Sequence, residues 1–140
     1  LQDTICHLVH RTDYLLNREN GRVLEPYGVT MYQAMSLIYI AWYGTSRDVN
    51  QRSIEKFLYL SNPGVSKIIS FLEREGYVRR ETDPRDARSY LLRATAAGEA
   101  FAARLNDAIL EADQIILQPL TPAEQRTLGR LLEKIRNATN

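Results

Sequence analysis

The side chains with chemistry to offer gather in three places. Between residues 61 and 95 the chain reads SNPGVSKIISFLEREGYVRRETDPRDARSYLLRAT. Asn62, Ser66, Lys67 and Ser70 are small or basic groups spaced as on one outer face of a helix, able to approach base edges and phosphates in a major groove. Arg85 and Arg88 follow in a polar turn, where guanidinium groups suit a narrow minor groove. An ordinary surface helix and a solvated charged loop are the alternative. The second place is Cys6-His7-x-x-His10, with both histidines one helical turn apart and able to face one metal ion. The two histidines leave further ligands to come from a carboxylate or another subunit, and polar helix positions near a dimer seam explain both more simply, so neither a metal site nor a Cys–His catalytic pair is expected. The third is aromatic: Tyr14, Tyr39 and Trp42 carry polar handles that could line a small-molecule pocket, although core packing explains most aromatic side chains in this region. No phosphate-binding glycine loop, nucleophile elbow or zinc-finger spacing occurs, and no enzyme is expected.

Elements must hold these groups in place. Val65, Ile68, Ile69 and Leu72 recur at i, i+3, i+4 and i+7, one apolar helical face. Pro63 suits the first helical position and points to Asn62 as the N-cap, while Gly76 suits a left-handed C-cap. Strand-like runs at residues 77–82 and 89–94 flank the turn-forming residues 83–88, which predicts a hairpin with arginines at its tip. Just upstream, Asn50 caps a short helix over residues 50–58 with Ile54, Phe57 and Leu58 inward, and Tyr59-Leu60-Ser61 makes the tight link of a helix-turn-helix, with Leu60 in the corner. Gln51 and Arg52, at the start of that supporting helix, are placed for backbone phosphates, or are simply exposed.

This stretch resembles the recognition helix and wing of the MarR family of winged helix-turn-helix regulators. The resemblance is carried by Ser61-Asn62-Pro63, Leu72-Glu73 before Gly76, Asp86-Ala87-Arg88, and the Thr95 that ends the second wing strand. Ala94 stands where the family usually has Leu, and Pro63-Gly64 at the helix start is less usual. The resemblance covers nearly the whole chain. It implies a mainly α fold with a two-stranded β wing, and a homodimer that binds a pseudo-palindromic operator in double-stranded DNA. It further implies that Arg88 enters or sits over the minor groove, Asp86 orients the wing tip and Arg85 adds phosphate contact. Arg80, Pro63 and Gly64 complete the expected DNA-facing set. Most members of the family repress, and release DNA when a small ligand or oxidation re-spaces the two reading heads. In the organic-hydroperoxide-sensing branch a first-helix cysteine precedes the Thr that starts the second helix by a similar distance, here Cys6 to Thr30. Tyrosines surround that branch's thiol; His10, Asn20 and Met31 stand at the corresponding places here.

The whole chain sets wider bounds. Its 140 residues suit one domain with a sizeable core. Net charge is +1, so bulk basicity does not announce a nucleic-acid binder; residues 77–93, however, carry five arginines against three carboxylates, a local net of +2 that a dimer doubles. No apolar run reaches membrane-span length and no signal-peptide core is present; Leu1 is not an initiator Met, so the native start is expected upstream. One cysteine excludes an internal disulfide and fits a reducing cytoplasm.

The remaining segments read as helices. Residues 1 to about 19 carry the stripe Ile5, Leu8, Val9, Thr12, Leu15 and Leu16, with Asn20-Gly21 as the stop and residues 25–28 as a loop. Thr30 and Gln33 form a capping box for an apolar, aromatic helix over residues 31–43 that is central to its domain. A short strand is expected near Val49. Thr95 caps a helix over residues 96–117 with Phe101, Leu105, Ala108, Ile109, Ala112 and Ile116 on its stripe; Gly98 costs it stability and Pro119 ends it. Thr121-Pro122-Ala123-Glu124 opens the last helix, with Leu128, Leu131, Leu132 and Ile135 on one face and a tail fraying from Asn137. Residues 30–95 are thus expected to read DNA, and residues 1–20 and 96–140 to pair two chains across a two-fold axis through the stripes at 5–16, 101–116 and 128–135. A ligand-gated repressor is preferred, its effector of unknown identity bound between the first helix, the aromatic helix and the long helix. Peroxide sensing through Cys6, or a winged-helix module that binds protein rather than DNA, are the alternatives.

Overall fold

The computed structural model describes residues 4–138 as six α-helices and one hairpin. The helices are α1 (Ile5–Leu24), α2 (Met31–Tyr43), α3 (Gln51–Leu58), α4 (Asn62–Arg74), α5 (Ala96–Leu117) and α6 (Pro122–Ala138); β1 (Val78–Asp83) and β2 (Asp86–Ala94) pair antiparallel. The expected helical residues 1–3 and the last two residues of the tail lie outside the described residues. Capping chemistry explains the best-placed boundaries. The Thr30 side chain accepts the Gln33 N–H while Gln33 accepts the Thr30 N–H, and Thr121 and Glu124 make the same reciprocal pair at α6. The Thr95 hydroxyl accepts from the Gly98 N–H, and Asn50 and Ser53 cap α3.

Six boundaries or placements differ from the sequence expectation. Helix α1 runs through Asn20-Gly21 to Leu24, because Leu24 is wholly buried and that burial, about 1.5–3 kcal/mol, outweighs the roughly 1 kcal/mol cost of a helical glycine. Residues Glu25–Tyr27 form a 3-10 turn rather than an irregular loop. Ser61, not Asn62, is the N-cap of α4, which puts Pro63 at the second helical position; that N–H also lacks an intrahelical acceptor, so proline costs nothing there either. Strand β1 keeps its expected length but is shifted by one residue, and β2 starts three residues earlier than expected, which squeezes the turn to Pro84-Arg85. No strand forms at Val49 among the described residues, although its carbonyl accepts the Leu92 N–H at 2.7 Å. Helix α6 continues to Ala138 without fraying at Asn137.

The core forms where α2, α4 and the first half of α5 meet. Ala34, Leu37 and Ile40 of α2 pack with Val65, Ile69 and Leu72 of α4 and with Phe101, Ala102 and Leu105 of α5; Val78 and Leu92 close it from the hairpin. Leu60 is half-buried against it in the helix-turn-helix corner, and Phe57 lies outside, its ring 4.6 Å from that of Tyr39 rather than inward. The α5 stripe is therefore occupied within its own chain: Phe101, Leu105, Ala108 and Ala112 are buried, and the large apolar side chains left outward on α5 are Leu110 and Ile115. Helix α6 has no buried residue, and Leu128, Leu131, Leu132 and Ile135 are 40–58% exposed.

Two glycines fix how the wing leaves this core. Gly76, at φ +81°, ends α4: the Tyr77 N–H reaches back to Leu72 O at 2.9 Å and the Gly76 N–H to Glu73 O at 3.0 Å, a Schellman turn that launches β1. Gly98, expected to weaken α5, lets α5 pack directly on that turn, since a Cβ there would stand 2.0 Å from Tyr77 O. Replacing Gly98 with Ala gains about 1 kcal/mol of helix propensity and loses more to the clash with backbone, so Gly98→Ala is expected to destabilise the fold by about 1–3 kcal/mol. Urea denaturation measures this; a midpoint at or above that of the wild type contradicts the assigned close approach.

Candidate nucleic-acid interface

The starts of α3 and α4 and the wing converge on one groove of about 480 Å³ lined by Asn50, Gln51, Arg52, Asn62, Arg80, Asp86, Arg88 and Tyr90, among others; Ser66, Lys67 and Ser70, farther along α4, do not line it. Residues at each end of the 61–95 stretch thus meet across it. The Gln51 amide donates to Asn62 O at 3.4 Å and joins the starts of α3 and α4. Lys67 and Ser70 are exposed, Ser66 and Gly64 are half-exposed, and Pro63 is exposed at the helix start, so the expected reading face is open to solvent.

The wing tip is built by two aspartates. Asp83 Oδ1 accepts the Arg85 N–H at 2.9 Å and Asp86 Oδ1 accepts the Arg88 N–H at 3.0 Å, two successive Asx turns. Pairing passes from Thr82↔Tyr90 directly to Asp83↔Asp86, so Ala87, Arg88 and Ser89 bulge out of the ladder. Asp86 thus holds the backbone of Arg88 in the turn.

The wing's arginines divide by partner. Arg79 and Arg93 bind Glu81, whose carboxyl is held below the usual carboxylate range chiefly by its hydrogen bond from Arg79. Arg80 pairs with Glu73 at 3.0 Å and lies over the Tyr90 ring. Arg85 meets Asp48 at 3.1 Å, with both side chains well exposed. Among the described residues Arg88 alone of these five makes no ion pair. Surface pairs of this kind are worth about 0–1 kcal/mol and yield readily to a phosphate, so Arg80 and Arg85 stay within the candidate set with a competing partner each. Asp48, Glu73 and Tyr90 cannot be read as arginine partners from the sequence, because only the folded chain places them beside the wing arginines.

The aromatic candidates separate. Tyr39 and Trp42 line an apolar recess of about 320 Å³ with Met31, Met35, Phe57 and Asn106, between α2, α3 and α5. Tyr14 does not join them: it stands with His10, Arg11 and Leu15 on a shallow cleft of α1, since α1 meets α2 and α5 through its other end. Cys6 is exposed near the start of α1. Asn20 and Met31 share a different cleft with Asp13, Leu16 and Asn17; a rise of fourteen helical positions, about 21 Å, separates Cys6 from Asn20, so within one chain Asn20 does not reach the thiol. Among the described residues no three His, Cys, Asp or Glu gather as metal ligands, and no helix is long and apolar enough to cross a membrane.

Comparison with known proteins gives a consistent result. Residues 36–90 match the model of the MarR family. A Thauera aromatica protein assigned to transcriptional regulation of the hcr operon is 30% identical over 87 residues, 62% of this chain and 52% of that one, so the chain spans about half of that relative's length. An HTH-type transcriptional repressor of Mycobacterium tuberculosis is 26% identical over 129 residues, covering 92% of this chain and 91% of the relative. Among solved structures, the Staphylococcus aureus MepR–DNA complex superposes with a TM-score of 0.84 at 21% identity, covering 98% and 97% of the two chains, which shows the winged-helix fold.

Proposed function

The chain belongs to the MarR family, and on that premise we propose that it is a cytoplasmic, homodimeric regulator of transcription that binds a pseudo-palindromic operator in double-stranded DNA. The observation that carries this reading is Arg88, whose backbone N–H Asp86 holds at the wing tip, whose guanidinium makes no ion pair among the described residues, and which shares a groove with Asn62 at the start of α4. In it, α4 enters the major groove with Asn62, Ser66, Lys67 and Ser70 toward base edges and phosphates, and Arg88 reaches the neighbouring minor groove. Gln51 and Arg52 touch the backbone, with Arg80 and Arg85 exchanging their carboxylate partners for phosphate. A basic tip favours nucleic acid over the protein-binding alternative, which an apolar or acidic wing would suit better. Selection of bound fragments from the source genome tests the proposal: enrichment of one inverted repeat supports it, and recovery of no preferred sequence at low salt refutes it.

Dimerisation follows from apolar faces that one chain leaves open. Ile5, Leu8, Val9 and Leu15 on α1, Leu110 and Ile115 on α5, and Leu128, Leu131 and Leu132 on α6 stand 40–70% exposed, more apolar surface than one chain leaves open without reason. Residues 1–20 and 96–140 supply this pairing and residues 30–95 the DNA contacts, although α5 also serves the core of its own chain.

The proposed switch is a small molecule of unidentified structure in the recess lined by Tyr39 and Trp42, whose walls are apolar with Asn106 as a polar contact. Peroxide sensing is the weaker reading, since thiol activation needs nearby hydrogen-bond donors or positive charge. Operator binding by the wild type and by Cys6→Ser is therefore expected to be equal with and without a stoichiometric organic hydroperoxide. Release of DNA by the oxidised wild type alone would replace the ligand-gated account with a redox one.

A further inference from the structure

A two-stranded hairpin is marginally stable alone and has no fixed angle to its domain, so something outside it must set where Arg88 stands. The base of β2 is docked on the turn between α2 and α3. Leu92 donates its N–H to Val49 O at 2.7 Å. The adjacent Arg93 guanidinium donates to the carbonyls of Gly44 and Arg47, the latter at 3.2 Å, and its Nε lies 3.4 Å from the Glu81 carboxylate on the same face of the hairpin. Gly44 is the C-cap of α2, so the cation also meets the negative end of that helix and satisfies a carbonyl the helix leaves open. The Arg93 side chain is 22% exposed, whereas the outer tie between Arg85 and Asp48 is 83% and 46% exposed. The inner anchor is thus the better shielded of the two.

We propose that Arg93 is the positioning residue of the wing: it locks β2 to the α2–α3 turn and thereby sets the place at which Arg88 meets DNA. Five residues of strand separate the two arginines, about 16 Å, so a small change of angle at the base moves the tip by several ångströms. The planar fork reaches two carbonyls and a carboxylate together, which a lysine ammonium on a flexible stem does not reproduce. The inference rests on the DNA-binding reading above and adds to it a residue that touches no DNA.

A double-mutant cycle in the full chain tests it, with a genomic fragment selected by the wild-type protein as the probe. In the wild-type background Arg88→Ala is expected to weaken binding about 5- to 150-fold. Arg93→Ala alone is expected to weaken it comparably, and in that background Arg88→Ala should cost less than about twofold, because the tip is no longer held in place. Arg93→Lys keeps the charge and the apolar stem but should restore neither affinity nor the Arg88 effect. If Arg93→Ala does not fold at the assay temperature, the same cycle run on Arg93→Lys decides. Hydrogen exchange of the free protein gives a second readout, with faster exchange over residues 78–94 and unchanged exchange in α2 and α5. An equal fold-loss from Arg88→Ala in both backgrounds overturns the positioning role while leaving DNA binding intact. A wild type that selects no fragment overturns the DNA-binding reading itself.

Discussion

Replacing Arg88 with alanine is expected to cost about 1–3 kcal/mol of operator affinity and to relax preference at the base pairs under the wing. The size follows from its situation. Arg88 is the wing arginine with no ion pair among the described residues, so binding gives up no competing contact there, and the Asp86 carboxylate already holds the bulge from which it projects. Its guanidinium exchanges water for a narrow groove of concentrated negative potential. Lys67→Ala and Arg52→Ala should behave differently. Those side chains face phosphates in the proposed complex, so each loss should weaken binding nearly uniformly across sequences and lower the slope of log K against log salt by about one per contact. Fluorescence anisotropy on matched and mismatched fragments separates the two patterns. If Arg88→Ala weakens every fragment equally, the wing is not reading its groove.

The second large effect concerns assembly. Changing Leu128 and Leu132 together to aspartate should abolish the dimer at micromolar concentration and operator binding with it. No residue of α6 is buried or belongs to the core, so the substitutions leave the monomer core untouched. Four leucines are lost per dimer at about 1.5–3 kcal/mol each, on the order of 6 kcal/mol or more. This exceeds a thousandfold rise in the dissociation constant. The interface they belong to is expected to bury about 2,000 Å² or more, as obligate dimers do. Sedimentation of wild type and variant measures it, with far-ultraviolet circular dichroism to confirm that the monomer stays folded. A wild type that sediments as a monomer, or a variant that stays dimeric, removes α6 from the interface.

What the sequence made legible was local. Helices α2 and α5 begin and end where their caps say, because a Thr–Gln pair, a threonine and a proline act within a few residues of the boundary they set. The helix-turn-helix and the contact candidates on α4 were legible for the same reason: a period of 3.6 residues declares a face without reference to the rest of the chain. Helix α1 went wrong where local and distant terms compete, since Asn20-Gly21 signals a stop and only the buried Leu24 shows why the helix continues. The wing tip was harder, because a register change between Thr82 and Asp83 depends on two Asx turns that no periodicity reveals. Arg93 was invisible as an anchor. In the sequence it is one more arginine on a strand; its partners at Gly44 and Arg47 lie more than forty positions away. Residue type alone groups Tyr14 with Tyr39 and Trp42, but the path of α1 carries it elsewhere.

One measurement bears most directly on the central claim. The wild-type dimer is titrated onto the inverted repeat recovered from the genome and onto a scrambled duplex of equal length and composition, at several salt concentrations. A preference of at least about a thousandfold for the repeat is expected at physiological salt, with both affinities falling steeply as salt rises because phosphate contacts release counterions. Equal affinity for the two duplexes, or no binding to either at low salt, contradicts it.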